Sequence, residues 1–136
     1  MGNVVVYCDG GSRGNPGKSA AAFVVTTRGK VIHKGSVFLG ESTNNVAEYS
    51  AVILALKWLV KNLSGISNEV TLILDSELVV RQLNGFYKVK NNKLQILFST
   101  IKNIENKITA HINYKSVRRE KNHLADSLVN QVLDKN

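Results

Sequence analysis

From Val4 to Asp9 the side chains alternate between apolar and polar faces, and two further apolar stretches, Ala20 to Thr27 and Val31 to Leu39, flank Arg28-Gly29-Lys30. That tripeptide reads as a hairpin turn, so three antiparallel strands are expected at the start of the chain. From Asn45 to about Asn62 the period changes. Ala47, Ala51, Leu54, Ala55 and Trp58 recur at helical spacing, with Gly65 just beyond as a stop. Glu69 to Asp75 is a short β-rich run, and Ser76 beside it can cap a helix reaching Asn84 and ending at Gly85. Leu94, Leu97, Phe98, Ile101 and Ile104 mark another amphipathic helix. Ile108 to Ser116 alternates as a strand, and Leu124, Leu128 and Val132 mark a closing helix.

The resulting order is β-β-β-α-β-α-α-β-α, an α/β chain. A strand that crosses over by a helix to another strand of the same sheet does so in parallel and right-handedly, so the first and fourth strands can be neighbours. A five-stranded mixed sheet flanked by helices is expected. No repeat, low-complexity tract or linker interrupts the sequence, and its 136 residues suit one domain.

Composition narrows the chemistry. At 43% hydrophobic and 21% charged, the chain has neither the polarity of a disordered protein nor an apolar run of membrane-spanning length. Its start lacks a signal-peptide pattern, so a cytoplasmic location and no membrane partner are expected. Cys8 is a lone cysteine, and the three histidines form no zinc pattern. The formal charge of +8 favours polyanions, with nucleic acid the leading partner class.

Against that basic background four acidic positions stand out. Asp9 and Asp75 each close a predicted parallel strand, where ligand sites of open α/β sheets lie. Alone, Asp9 reads equally as a turn residue before Gly10-Gly11, and Asp75 as a helix cap. Glu48 follows Asn45 at capping-box spacing, yet it also shares a helical face with Val52, Ala55 and Leu59, which turns it toward the apolar side. Asp126 sits in the first turn of the last helix, where the dipole favours an anion, and Asn122 lies on the same face. Like charges brought that close cannot all stay ionised without a cation. Carboxylate oxygens suit Mg²⁺ or Mn²⁺, and two such ions about 4 Å apart support in-line phosphoryl displacement.

The run Asp9-Gly10-Gly11-Ser12 with Gly14-Asn15-Pro16-Gly17, then Thr43-Asn44-Asn45-Val46-Ala47-Glu48, then Asp75-Ser76 leading to Arg81-Gln82, and finally Asn122 with Ala125-Asp126, resembles type 1 ribonuclease H over nearly the whole chain. The resemblance implies the ribonuclease H fold and endonucleolytic hydrolysis of the RNA strand of RNA–DNA hybrids, leaving 5′-phosphate and 3′-hydroxyl ends. It implies Asp9, Glu48, Asp75 and Asp126 as catalytic ligands of two Mg²⁺ ions, with Mn²⁺ as a substitute. It also implies that Asn15, Asn44, Asn45 and Gln82 meet the hybrid's minor groove, and that main chain at Gly11, Ser12 and Arg13 approaches the RNA strand; a monomer is expected. Small residues there let the backbone reach a 2′-hydroxyl, the group that distinguishes RNA from DNA. Asn122 is a further candidate for nucleic-acid contact.

The chain also departs from the family. Where many relatives carry a Gly-His pair in a mobile loop, it has Ser116-Val117-Arg118-Arg119, a pattern closest to compact archaeal and some bacterial forms. His123 is too near Asp126 to take that histidine's place. Arg118 and Arg119 are candidate phosphate contacts instead. Thr43 matches a threonine that helps hold a DNA phosphate, but Glu41 replaces the nearby basic residue. Between the middle helices only Phe86 to Lys93 remains, an aromatic and basic stretch whose Lys88 and Lys90 suit a phosphate backbone. Two other readings stand beside the hydrolase: a non-catalytic nucleic-acid-binding module of the same fold, or an enzyme acting on double-stranded RNA or a DNA junction.

Overall fold

A computed structural model of the chain describes residues 3–63 and 69–136. One five-stranded sheet, in the order β3-β2-β1-β4-β5, is built from β1 (Val4–Arg13), β2 (Gly17–Thr27), β3 (Lys30–Ser42), β4 (Glu69–Leu74) and β5 (His111–Ser116). The first three strands pair antiparallel, while β4 runs parallel to both β1 and β5. The helices are α1 (Asn44–Asn62), α2 (Glu77–Leu83), α3 (Asn92–Glu105) and α4 (His123–Asp134), with a single turn at Arg119–Lys121 before the last. The element order matches the sequence reading, and the mixed sheet is as expected.

Strand β2 explains the layering. Its residues Ala20 to Val25 are all buried because both faces of the strand are covered. Ala21, Phe23 and Val25 join the main core under α1, whereas Ala20 and Ala22 pack against Val129 and Leu133 of α4. Small side chains on the second face let α4 lie close to the strand. The β2–β3 hairpin turns at Arg28 and Gly29, with φ of 52° and 76°, the left-handed pair that a two-residue connection between twisted strands requires.

Several boundaries differ from the sequence reading. β1 does not stop at Asp9. Gly10 to Arg13 continue it by pairing with Ala21 to Lys18, so Asp9 lies within the strand and the glycines extend it rather than loop away. β4 ends at Leu74, one residue short of Asp75. β5 begins at His111 rather than Ile108. α1 is capped by Thr43, whose side chain accepts from the Val46 N–H, rather than by Asn45. Gly65, read as the stop of that helix, lies outside the described residues. Among the described residues, no helix is long and apolar enough to cross a membrane.

Candidate active site

Alternation along β1 turns Val4, Val6 and Cys8 into the main core, and Gly10 continues that face beneath α1. Asp9 points to the other side, toward α4. A Cβ on Gly10 would lie 2.1 Å from the Ala47 carbonyl carbon and 2.4 Å from the Glu48 nitrogen, so only glycine lets the start of α1 come this close. Closeness delivers Glu48, whose Oε1 accepts from the Gly10 N–H at 3.1 Å. The capping-box alternative is thereby set aside, since the helix start already has Thr43 and the Glu48 carboxylate is turned toward β1.

Parallel pairing of Val4–Tyr7 with Val70–Ile73 brings the end of β4 beside the middle of β1, so Asp75 comes level with Asp9 two residues further on. Asp9, Glu48 and Asp75 each offer an oxygen, all within 4.8 Å of one another. Asp9 is 3% exposed and Glu48 5%. Asp126 reaches the trio from α4, near enough to hydrogen-bond Asp9 and to be felt electrostatically by both Asp9 and Asp75. All four acidic residues singled out from the sequence meet at one place, carried by β1, α1, the end of β4 and α4.

Their electrostatics follow from this crowding. Burial, then the neighbouring Asp75, raises the Asp9 pKa to about 7. Burial and the charges of Asp9 and Asp75 push Glu48 well above the usual carboxylate range. Asp75 is raised by burial, while Arg119, with Nε 3.5 Å from Asp75 Oδ2, pulls it back. Glu48 Oε2 is buried without a hydrogen-bond partner, and Asp75 Oδ2, also buried, has only the ion pair with Arg119. Convergent, desolvated carboxylate oxygens with unused lone pairs fit a hard divalent cation, which removes the repulsion and supplies the missing partner.

Around the acidic centre the other expected residues fall into three groups. Asn15, Asn44 and Ser12 knit the β1–β2 turn to the start of α1. The Ser12 N–H donates to Asn44 Oδ1 at 2.9 Å, the Asn44 N–H donates to Asn15 Oδ1 at 3.1 Å, and the Ser12 hydroxyl donates to the carbonyl of Ser42 at 3.1 Å. With Thr43 and Asn45, Asn15 and Asn44 line one wall of an open groove of about 720 Å³. Gly11 is half-buried beside Val129, and Arg13 pairs with Asp134 at 2.6 Å. Arg118, Lys88 and Lys90 are exposed, as is His123.

Two residues expected to touch nucleic acid are instead turned inward. Gln82 is 7% exposed and its Oε1 accepts from the Tyr49 hydroxyl at 2.7 Å, tying α2 to α1. Asn122 is fully buried. Its amide donates to the Cys8 carbonyl at 2.8 Å, next to Asp9, and it gives α4 no side-chain cap. Both amides complete interior hydrogen bonds that a helix face alone does not reveal. The Arg119–Asp75 pair and the close packing at Gly10 also escaped the sequence reading; the only trace of the latter was a glycine directly after an acidic strand residue.

The RNase H family model matches residues 1–134. A bifunctional protein of Mycobacterium tuberculosis is 39% identical over 133 residues, covering 96% of this chain and 35% of that protein. Ribonuclease HI of Halobacterium salinarum is 35% identical over 136 residues, covering 98% of this chain and 65% of that protein. The chain therefore spans about a third of the mycobacterial relative and just under two thirds of the archaeal one. Among solved structures, LC11 ribonuclease H1 in complex with an RNA/DNA hybrid superposes with a TM-score of 0.92 at 42% identity, covering 97% of each chain. Ribonuclease H1 of Halobacterium salinarum gives a TM-score of 0.91 at 32% identity, covering 98% of this chain and 99% of that one.

Proposed function

The chain belongs to the RNase H family, and from that premise we propose that it is a divalent-cation-dependent endonuclease hydrolysing the RNA strand of RNA–DNA hybrids, leaving 5′-phosphate and 3′-hydroxyl ends. The observation that carries this reading is the meeting of Asp9, Glu48 and Asp75, with Glu48 Oε2 buried and without a hydrogen-bond partner. A binding module has no use for such a cluster, because unpaired buried carboxylates destabilise the fold. The hybrid-bound LC11 relative supports the choice of substrate.

Asp9, Glu48, Asp75 and Asp126 would hold two Mg²⁺ ions, or Mn²⁺ in their place. Bound there, the ions would supply an activated water and neutralise charge on the leaving oxygen. The protein's own part is positional. The Gly10 N–H fixes Glu48 Oε1 and leaves Oε2 directed at the site. Asn122 anchors the start of α4 to β1 and so sets Asp126 against Asp9. Arg119, already beside Asp75, keeps a positive charge at the edge of the cluster where a phosphate of the cleaved strand would lie. The Asn15–Asn44–Ser12 network holds the start of α1 and the β1–β2 turn in one rigid surface, against which 2′-hydroxyls of the RNA strand can be read.

One assay tests the reading: Mg²⁺-dependent cleavage of a hybrid, double-stranded RNA and double-stranded DNA of the same sequence, with Asp75→Asn as control. Cleavage of the hybrid's RNA strand, abolished by the substitution, is the expected result. Equal cleavage of double-stranded RNA would move the substrate assignment, and no cleavage of any duplex would refute the hydrolase.

A further inference from the structure

Away from the four carboxylates, the start of β3 and the second half of α1 form a surface charged in one sense. Asp9 pairs with Ala22 and Ala22 with Ser36, from which Lys30 lies about 20 Å further along β3. Trp58 lies about 15 Å along α1 from Glu48. Between Gly10 and Gly40, and in α1 after Glu48, the chain has no acidic residue. Arg28, Lys30 and Lys34 of the β2–β3 hairpin and Lys57 and Lys61 of α1 are all exposed, and among the described residues none of them forms an ion pair. Lys61 suits the dipole at the last turn of α1, but the others have no such local use. Strand and helix touch where His33 stacks on Trp58, ring centroids 4.7 Å apart. Val31 and Ile32, 43% and 44% exposed, add aliphatic surface on the same strand. Beyond them, β3 is the outer strand of the sheet, so its free edge from His33 to Phe38 carries backbone N–H and C=O groups that no other strand meets.

We propose that this surface docks a partner protein through an extended segment in which acidic and apolar residues alternate. Docking of this kind uses none of the catalytic groups. Alternation along β3 turns His33 and Val37 toward α1, where His33 meets Trp58 and Val37 packs on the main core. Lys34 and Phe38 fall on the opposite face, with Phe38 paired to Ala20, which packs against α4. A strand added to this edge would set its apolar side chains beside Trp58 and Val37 and its carboxylates beside Lys34. Lys30, Lys57 and Lys61 would hold acidic residues that flank the paired stretch. Backbone bonds give attachment, and the unopposed positive charge selects an acidic segment over a neutral one. A nucleic-acid strand fits the same cations less well. Stacking of bases needs a free aromatic face, whereas the Trp58 ring is already stacked by His33, and Val31 and Ile32 have no partner on a phosphate backbone.

The probe is a short fluorescent peptide alternating aspartate with leucine and phenylalanine, titrated with the full chain by fluorescence anisotropy. One comparison peptide carries asparagine for every aspartate, another serine for every apolar residue. The parent peptide is expected to bind about tenfold tighter than either, and less tightly as salt rises. Combined Lys34→Glu and Lys57→Glu is expected to weaken it about tenfold, while Lys88→Glu with Lys90→Glu, cations outside this surface, leaves it unchanged. Amide resonances of the isotope-labelled chain are expected to shift from Lys30 to Phe38 and around Trp58. Hybrid cleavage by the Lys34 and Lys57 variant should match wild type, and its thermal unfolding confirms that the exposed substitutions leave the fold intact. Equal binding of the acidic and neutral peptides, peptide binding that survives the Lys34 and Lys57 substitutions, or shifts confined to other elements overturn the proposal. Single-stranded DNA that binds in place of the peptide, and is lost in the same variant, also overturns it and assigns the surface to nucleic acid. None of these outcomes bears on the hydrolase, which the cleavage assay tests separately.

Discussion

Gly10 and Glu48 meet across the boundary between strand and helix, the backbone N–H of the glycine donating to Oε1 of the glutamate at 3.1 Å. The bond exists only because no side chain intervenes: a Cβ at Gly10 would overlap the Ala47 carbonyl at 2.2 Å. Gly10→Ala is therefore expected to lift the start of α1 from β1, costing about 1–3 kcal/mol as overpacking does, and to withdraw Glu48 from the cluster. Gly11→Ala is the control for stability, since its Cβ would meet Val129 at an ordinary 3.5 Å. Denaturant unfolding and a calorimetric Mg²⁺ titration check this; equal effects from both substitutions would mean that the close approach is not what holds the site.

Glu48→Gln and Asp9→Asn each remove one charge from a cluster in which like charges are pressed together. Hydrolysis of hybrid is expected to vanish in both. Metal-free stability at neutral pH is expected to rise or stay level, because the repulsion each carboxylate suffers is removed. Stabilisation by added Mg²⁺ should shrink in parallel, since it depends on differential binding to the folded state. Thermal melts with and without Mg²⁺, run beside the cleavage assay, separate loss of chemistry from loss of fold. Full activity in either variant would refute the assignment.

Metal-free protein should respond to pH in the sense opposite to a salt-bridged carboxylate. Burial and Asp75 raise the Asp9 pKa to about 7, whereas an unfolded aspartate titrates at about 3.9. Between those values the folded chain binds more protons than the unfolded chain, so the contribution of Asp9 is fully present below about pH 4 and is lost as pH rises through about 7. Glu48 is shifted in the same direction. Urea unfolding in chelator from pH 4 to 8, wild type against Asp9→Asn, should show a stability difference that moves against wild type by a few kcal/mol. Added Mg²⁺ should matter most at the alkaline end, where the carboxylates are ionised and ready to bind it. A difference constant across the range would contradict the buried, mutually repelling cluster.

Much of this was legible in the chain because it is written in periodicity. The switch from alternation before Thr43 to helical spacing after it located α1, and the β-rich run before Asp75 located β4. Asp75 and Asp126 emerged because they stand at the end of a strand and the start of a helix, Asp9 because an acidic residue followed by glycines read as a strand end, and Glu48 because it shares the apolar face of its helix. What pattern could not show was long-range pairing. Nothing local to Asn122 signals that its amide crosses to Cys8, and nothing local to Gln82 signals that it bonds Tyr49. A polar residue on a helix looks equally suited to solvent, substrate or interior. The extension of β1 through Gly10 and Gly11 was hidden for a related reason: glycine weakens any strand by itself, and here pairing with Ala20 and Ala21 of the buried centre of β2 overrides that preference.

The inward turn of Asn122 gives it a role that kinetics can distinguish from substrate contact. It stands at the start of α4, accepts the Asp126 N–H through its own carbonyl at 3.1 Å, and donates its side-chain amide to Cys8. An asparagine there would ordinarily cap its own helix; this one bonds the strand instead, so the position of Asp126 is referred to the backbone beside Asp9. Asn122→Ala should cost about 1–3 kcal/mol in stability, as it orphans a buried carbonyl. Its functional effect should fall on kcat and on metal affinity, with KM for hybrid nearly unchanged, because the side chain is buried and bonded to β1. Asn122→Asp removes the donor at similar volume and should behave no better than alanine. A raised KM with kcat intact would show that Asn122 touches nucleic acid after all, and that Asp126 finds its place without the bond to Cys8.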